Sequence, residues 1–131
     1  MELGKLEIYK ISLDLSKEIW GVYSSLATDL KFNIGNQVIR SIDSIGANIA
    51  EGYGRFHYKD SMKFYYNARG SLWESKHWVY LLYQRKLISK ELYKQMLEEL
   101  ELLGKKLNGF INTMKEKNDK KQIYKYTNEQ K

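Results

Sequence analysis

Apolar side chains recur at three- and four-residue steps in four stretches of the chain, the spacing that lines one face of an α-helix. Ile8, Ile11, Leu15, Ile19, Val22 and Leu26 form the first stripe, and Val38, Ile42, Ile45 and Ile49 the second. Phe64, Ala68, Leu72, Ser75, Val79 and Leu82 form the third; Leu92, Met96, Leu100, Leu103, Leu107, Ile111 and Met114 form the fourth and most regular. Turn formers separate them. Residues 28–36 lack the spacing, and Asn36 is placed to cap the second helix. Gly52 and Gly54 offer the left-handed conformation that closes a helix, a link over 55–59 follows, and Asp60 is the expected cap of the third helix. Ser89, followed by Glu91, is the expected cap of the fourth. Four helices of about 30–40 Å at 1.5 Å per residue, joined by short links, predict an all-α, antiparallel up-down-up-down four-helix bundle. The stripe stops after Lys115, where a run of charges begins. Residues 1–115 are therefore read as the bundle and 116–131 as a basic, flexible tail.

Composition narrows the chemistry. With 131 residues the chain fits one domain. It has no cysteine, which removes disulfides, thiolate metal sites and cysteine nucleophiles together and suits a reducing cytoplasm. It has no proline, so nothing forces a helix to break. No apolar run approaches the ~20 residues of a membrane span, and Met1-Glu2-Leu3-Gly4-Lys5 does not open a signal peptide. A soluble, cytoplasmic protein without a membrane partner is expected.

The net charge of +6 is unevenly spread: residues 31–90 hold ten basic and four acidic side chains, and residues 115–131 hold six and three. Excess positive charge in the middle and tail points to polyanion affinity, with nucleic acid as the commonest partner. The same central region, Tyr53 to Tyr83, holds ten of the eighteen aromatics, interleaved with Arg55, Lys59, Lys63, Arg69, Lys76, Arg85 and Lys86. Rings beside cations can stack bases and hold phosphates. Aromatics at helical spacing also serve as core or as a subunit interface, and both readings stay open at this point.

Catalytic signals are weak. Glu74 and His77 have the Glu-x-x-His spacing of di-iron bundles, but a second copy and two further inward carboxylates are missing, and Lys76 stands beside the pair. The second histidine, His57, falls in a link. No nucleophile elbow or phosphate-cradling glycine loop is present, and Gly52-Tyr53-Gly54 alone is a poor substitute. Glu51 is placed to pair with Arg55 one turn on, or with Arg69 of the next helix. No enzyme activity, catalytic residue, cofactor, metal or small-molecule substrate is expected.

The segment from Asn36 to Arg55 contains Ser44-Ile45, then Asn48-Ile49-Ala50-Glu51-Gly52, then Arg55. Downstream come Phe64-Tyr65, Ala68-Arg69-Gly70-Ser71-Leu72 and Glu74. This pattern resembles the four-helix bundle proteins encoded in intervening sequences of bacterial 23S rRNA genes, also called the S23 ribosomal protein family. It is similar, too, to the accessory protein of diversity-generating retroelements. The resemblance runs over roughly residues 6–114 and implies a homopentamer of antiparallel bundles without enzymatic activity, associated with RNA or DNA. One departure is the absence of a second arginine beside Arg40, which is flanked by Ile39 and Ser41. The expected function is that of an RNA- or nucleic-acid-associated accessory protein, with Arg40, Arg55, Lys59, Lys63, Arg69 and Lys76 as phosphate contacts. The alternative is a structural or protein-interaction ring that uses its aromatics to hold a protein partner.

Overall fold

The structure, a computed structural model, describes residues 2–130. Four long helices carry the fold: α1 (Glu7–Ser25), α2 (Asn36–Gly54), α3 (Tyr58–Gln84) and α4 (Lys90–Gln130). No strand occurs among the described residues. Cross-links between helices fix their directions. Glu7 pairs with Lys106 at 2.9 Å while Glu18 accepts from Gln95 at 2.5 Å, so α1 and α4 run in opposite senses. Ser16 donates to Asp43 at 2.6 Å between α1 and α2, and Arg69 donates to Asn108 at 3.3 Å between α3 and α4. The result is an antiparallel four-helix bundle.

The stripes face one another as expected. Leu15, Ile19, Val38, Ile42, Ile45, Ile49, Leu100, Leu103 and Leu107 are fully buried. On α3 the core face is shifted by one residue at its start. Tyr65 is buried and Phe64 is half-buried, so the stripe runs Tyr65, Ala68, Leu72, Ser75, Val79, Leu82. Gly52 on α2 decides this: a Cβ there would lie 2.7 Å from the Tyr65 ring, so only glycine leaves room for the tyrosine to enter. Trp73, beside the stripe in sequence, points outward and is 64% exposed.

Helix ends differ from expectation where the signal is local. A helical turn at Thr28–Leu30 runs through a wide turn at Lys31–Gly35, kinked at Asn33 (φ −110°, ψ −107°), into α2. Asn36 (φ −63°, ψ −38°) is therefore already helical and caps nothing. Neither Gly52 nor Gly54 is left-handed; α2 ends at Arg55, which is extended. His57 is the N-cap of α3, without a side-chain bond, and Asp60 lies in the first turn. Ser89 does cap α4, accepting from the Leu92 N–H at 3.0 Å. Lys86 closes α3 with φ 61°: its N–H donates to the Tyr83 carbonyl and the Leu87 N–H to the Leu82 carbonyl, a Schellman closure.

The largest difference is at the C-terminus. Where the end of the apolar stripe predicts a flexible tail over 116–131, helix continues through Gln130, and Lys131 lies outside the described residues. No glycine or proline interrupts 115–130, and lysine, glutamate and glutamine favour the helical state. At 41 residues, α4 is the longest helix and extends well beyond its neighbours. No helix among the described residues is long and apolar enough to cross a membrane.

Candidate nucleic-acid interface

Ring–cation contacts flank α3 on two sides. Phe64 faces the end of α2, while Tyr66 and Trp73, roughly half a helical turn round from it at 3.6 residues per turn, lie toward α4. Lys63 stands 6.0 Å from the Phe64 centroid, and Arg55, from the end of α2, lies 4.9 Å from the same ring. Arg69 lies 4.9 Å from the Tyr66 ring, which Lys115 of α4 also reaches at 5.5 Å. Lys76 lies 4.4 Å from Trp73. Such contacts hold flexible cations at fixed points along the helix without neutralising them. Lys63 to Lys76 spans about 20 Å of helix axis at 1.5 Å per residue.

The six candidate cations do not all belong together. Arg69 and Lys76 share the α4 flank with Tyr66 and Trp73, Lys63 and Lys59 are exposed one and two turns before Tyr66 on the solvent side, and Arg55 lies on the opposite flank against Phe64. Arg55 also pairs with Glu51 at 3.3 Å, whereas Arg69 turns to Asn108 and leaves Glu51 alone. Arg40 stands apart. It is exposed on α2, four turns before Arg55, and shares its helix face with Asp43 and Glu51. That face is mixed in sign and forms no basic stripe.

Lys115 was not among the sequence candidates because it follows the last apolar residue of its stripe. Its signal is its register: it sits four residues after Ile111 on a helix that does not stop. The Glu-x-x-His pair is spent on packing. Glu74 accepts from the Trp78 indole at 3.2 Å, and His77 lies edge-on to that ring at 4.9 Å. Among the described residues no three acidic or imidazole side chains converge as metal ligands.

A second polar cluster lies across the bundle, between α1 and α4. Gln95 donates to both Glu18 and Glu99, while Glu18 Oε2 is buried without a hydrogen-bond partner. Burial first, then the neighbouring Glu99 carboxylate and the charge of Asp14, hold the Glu18 carboxyl up at about 7 against the lowering effect of the Gln95 bond. The i,i+4 pair of acids Asp14 and Glu18 is the trace of this cluster in the sequence.

Comparison with known proteins follows from this fold. The profile of the 23S rRNA-intervening sequence protein family matches residues 4–109. A crystal structure of a protein of unknown function from the S23 ribosomal protein family of Bacteroides thetaiotaomicron superposes with a TM-score of 0.75 and 27% identity, covering 80% of this chain and 95% of that one. No curated protein matches the chain.

Proposed function

Because the chain belongs to the 23S rRNA-intervening sequence protein family, we propose that it is a non-enzymatic, ring-forming bundle protein that binds RNA through the outer face of α3. The observation that carries this reading is the pair of ring–cation contacts on Tyr66 and Trp73, two turns apart on one flank of α3, which alternates surfaces for bases with charges for phosphates. Lys63, Arg69, Lys76 and Lys115 neutralise backbone phosphates, Lys59 one turn before Lys63 makes a fifth, and Arg55 on the other flank stands outside the row. Arg40 contributes less. The homopentamer implied by the family resemblance sets several such faces on one assembly, which strengthens binding to a long strand.

Five neutralised phosphates on a single strand give a salt slope of about −3.5, or roughly a hundredfold loss of affinity between 50 and 200 mM salt. A gel shift with a short single-stranded RNA tests this, with Lys63→Ala/Lys76→Ala weakening the complex and flattening the slope. No retardation at low salt overturns the proposal. Light scattering on the purified protein tests the ring.

Trp20 and Phe32 favour the second reading, a ring that holds a protein partner, because both are more than half exposed and neither belongs to the α3 row. Under that reading, partner capture survives high salt and is indifferent to Lys63→Ala/Lys76→Ala.

A further inference from the structure

At one end of the bundle the start of α1, the end of α2, the start of α3 and the projecting part of α4 enclose a cleft of about 390 Å³. That volume lies within the ~300–1,000 Å³ of small-molecule sites. Tyr53, Phe56, Tyr58, Tyr65 and Phe110 supply its rings, while only Leu6 and Met114 supply aliphatic surface. Tyr65 and Phe110 are fixed edge-to-face at 5.0 Å and form a rigid wall. Phe56 is different. It is 94% exposed in the link before α3, its ring nearly perpendicular to that of His57 at 5.2 Å between centroids. A phenyl group held out in water beside an aromatic cleft is a stacking surface with one face free.

The charge at this cleft has one sign. Arg55, Lys117 and Lys121 line it, and none of its described lining side chains is acidic. Arg55 is also paired with Glu51 at 3.3 Å just outside, which leaves Lys117 and Lys121 as its main cations. Asn118 and the half-buried Tyr58 add hydrogen-bonding groups suited to the edge of a heterocycle. A lipid chain calls for aliphatic walls, which the cleft lacks. A flat ring system carrying a phosphate matches both the rings and the cations.

We infer that this cleft takes an unpaired nucleotide of an RNA strand, with the base stacked on Phe56 and its phosphate held mainly by Lys117 and Lys121, with Arg55 beside them. The inference rests on the RNA-binding reading above and adds a site for single-stranded positions. A paired base cannot enter, so the cleft separates looped or single-stranded RNA from duplex, while the α3 face grips the backbone of either.

The test compares a labelled single-stranded RNA with a blunt RNA duplex by fluorescence anisotropy at low salt. Phe56→Ala removes an exposed side chain and leaves the fold intact, as circular dichroism will verify. It is expected to weaken single-strand binding by roughly five- to a hundredfold, the range for loss of one base–aromatic stack, and to leave duplex binding unchanged. Lys117→Ala/Lys121→Ala should act in the same direction, whereas Lys63→Ala/Lys76→Ala should weaken both RNAs. A nucleoside monophosphate should displace the single strand from the cleft better than inorganic phosphate does. If wild-type protein binds neither RNA, the RNA reading itself fails. If it binds both and Phe56→Ala changes neither, the α3 reading stands and the cleft inference is overturned. Equal competition by inorganic phosphate, or displacement by an acidic tyrosine-containing peptide but not by the nucleotide, also overturns it.

Discussion

Glu18 offers a direct test of the electrostatics between α1 and α4. Its carboxyl sits at about 7 in the folded chain against an ordinary 4.5, a difference worth a few kcal/mol at most. Glu18 is half-buried and partly screened by solvent, which brings the expectation down to about 1–2 kcal/mol. The direction follows from proton binding. Below pH 4.5 the carboxyl is protonated in both states and carries no penalty. Between pH 4.5 and 7 the unfolded chain ionises while the folded chain resists, so stability falls as pH rises; above 7 the full penalty stands. The groups facing Glu18 are Asp14 and Lys17 on its own helix, and Gln95 and Glu99 on α4. Glu18→Gln removes the titration and supplies an amide that can donate to the Glu99 carboxylate. Urea unfolding followed by circular dichroism, at pH 5 and pH 8 and one fixed protein concentration, should show the variant gaining about 1–2 kcal/mol on the wild type between the two pH values. Equal differences at both would refute the assignment.

Three further outcomes are expected. Gly52→Ala drives a methyl group to 2.7–3.0 Å from three atoms of the buried Tyr65 ring, contacts tight enough to put the overpacking cost at the upper end of about 1–3 kcal/mol; less about 1 kcal/mol of gained helix propensity, a net loss of up to about 2 kcal/mol should show in a urea melt. Gly46→Ala meets only the Ser12 Oγ at 2.8 Å, with the next atom at 3.5 Å, so it should cost less than Gly52→Ala in the same assay. The Ser12 side chain must turn away and give up its 2.6 Å bond to the Tyr9 carbonyl, about 1 kcal/mol that the gained helix propensity offsets. Lys86→Gly relieves a side chain held at φ 61°; it should raise the melting temperature, with relief of about 1 kcal/mol partly offset by the freer unfolded chain, whereas Lys86→Ala should not raise it.

The four helices are legible in the sequence because burial alone sets their period. Val38, Ile42, Ile45 and Ile49 leave no other face for α2 to turn inward, and all four are fully buried. Phase is harder. Phe64 and Tyr65 both continue the three- and four-residue steps to Ala68, and the choice between them is made across the bundle by a glycine thirteen residues earlier. The closure at Lys86 is hidden for a different reason: a left-handed lysine carries no compositional mark, and the tertiary docking of Leu87 and Ile88 against the core imposes it. The α3 cations were visible as residues, but their pairing with particular rings depends on the outward turn of Trp73 and Tyr66 and on a partner from α4.

The same distinction explains the C-terminal helix and the cleft it helps form. Phe110, Met114, Lys117 and Lys121 follow steps of four, three and four, so the register that builds the core does not end at Met114. Only its chemistry changes, from apolar to cationic, where the shorter helices run out and the cleft opens. Apolar periodicity cannot see this, because it looks for greasy side chains and finds lysine. Lysine at such a position can lay its aliphatic stem along an aromatic wall and keep its ammonium group in water. The face of α4 that packs the core therefore becomes, one turn later, the face that presents positive charge over the cleft. A charge run after an apolar stripe is better judged by whether it keeps the stripe's phase than by its polarity, and in this chain the phase is kept.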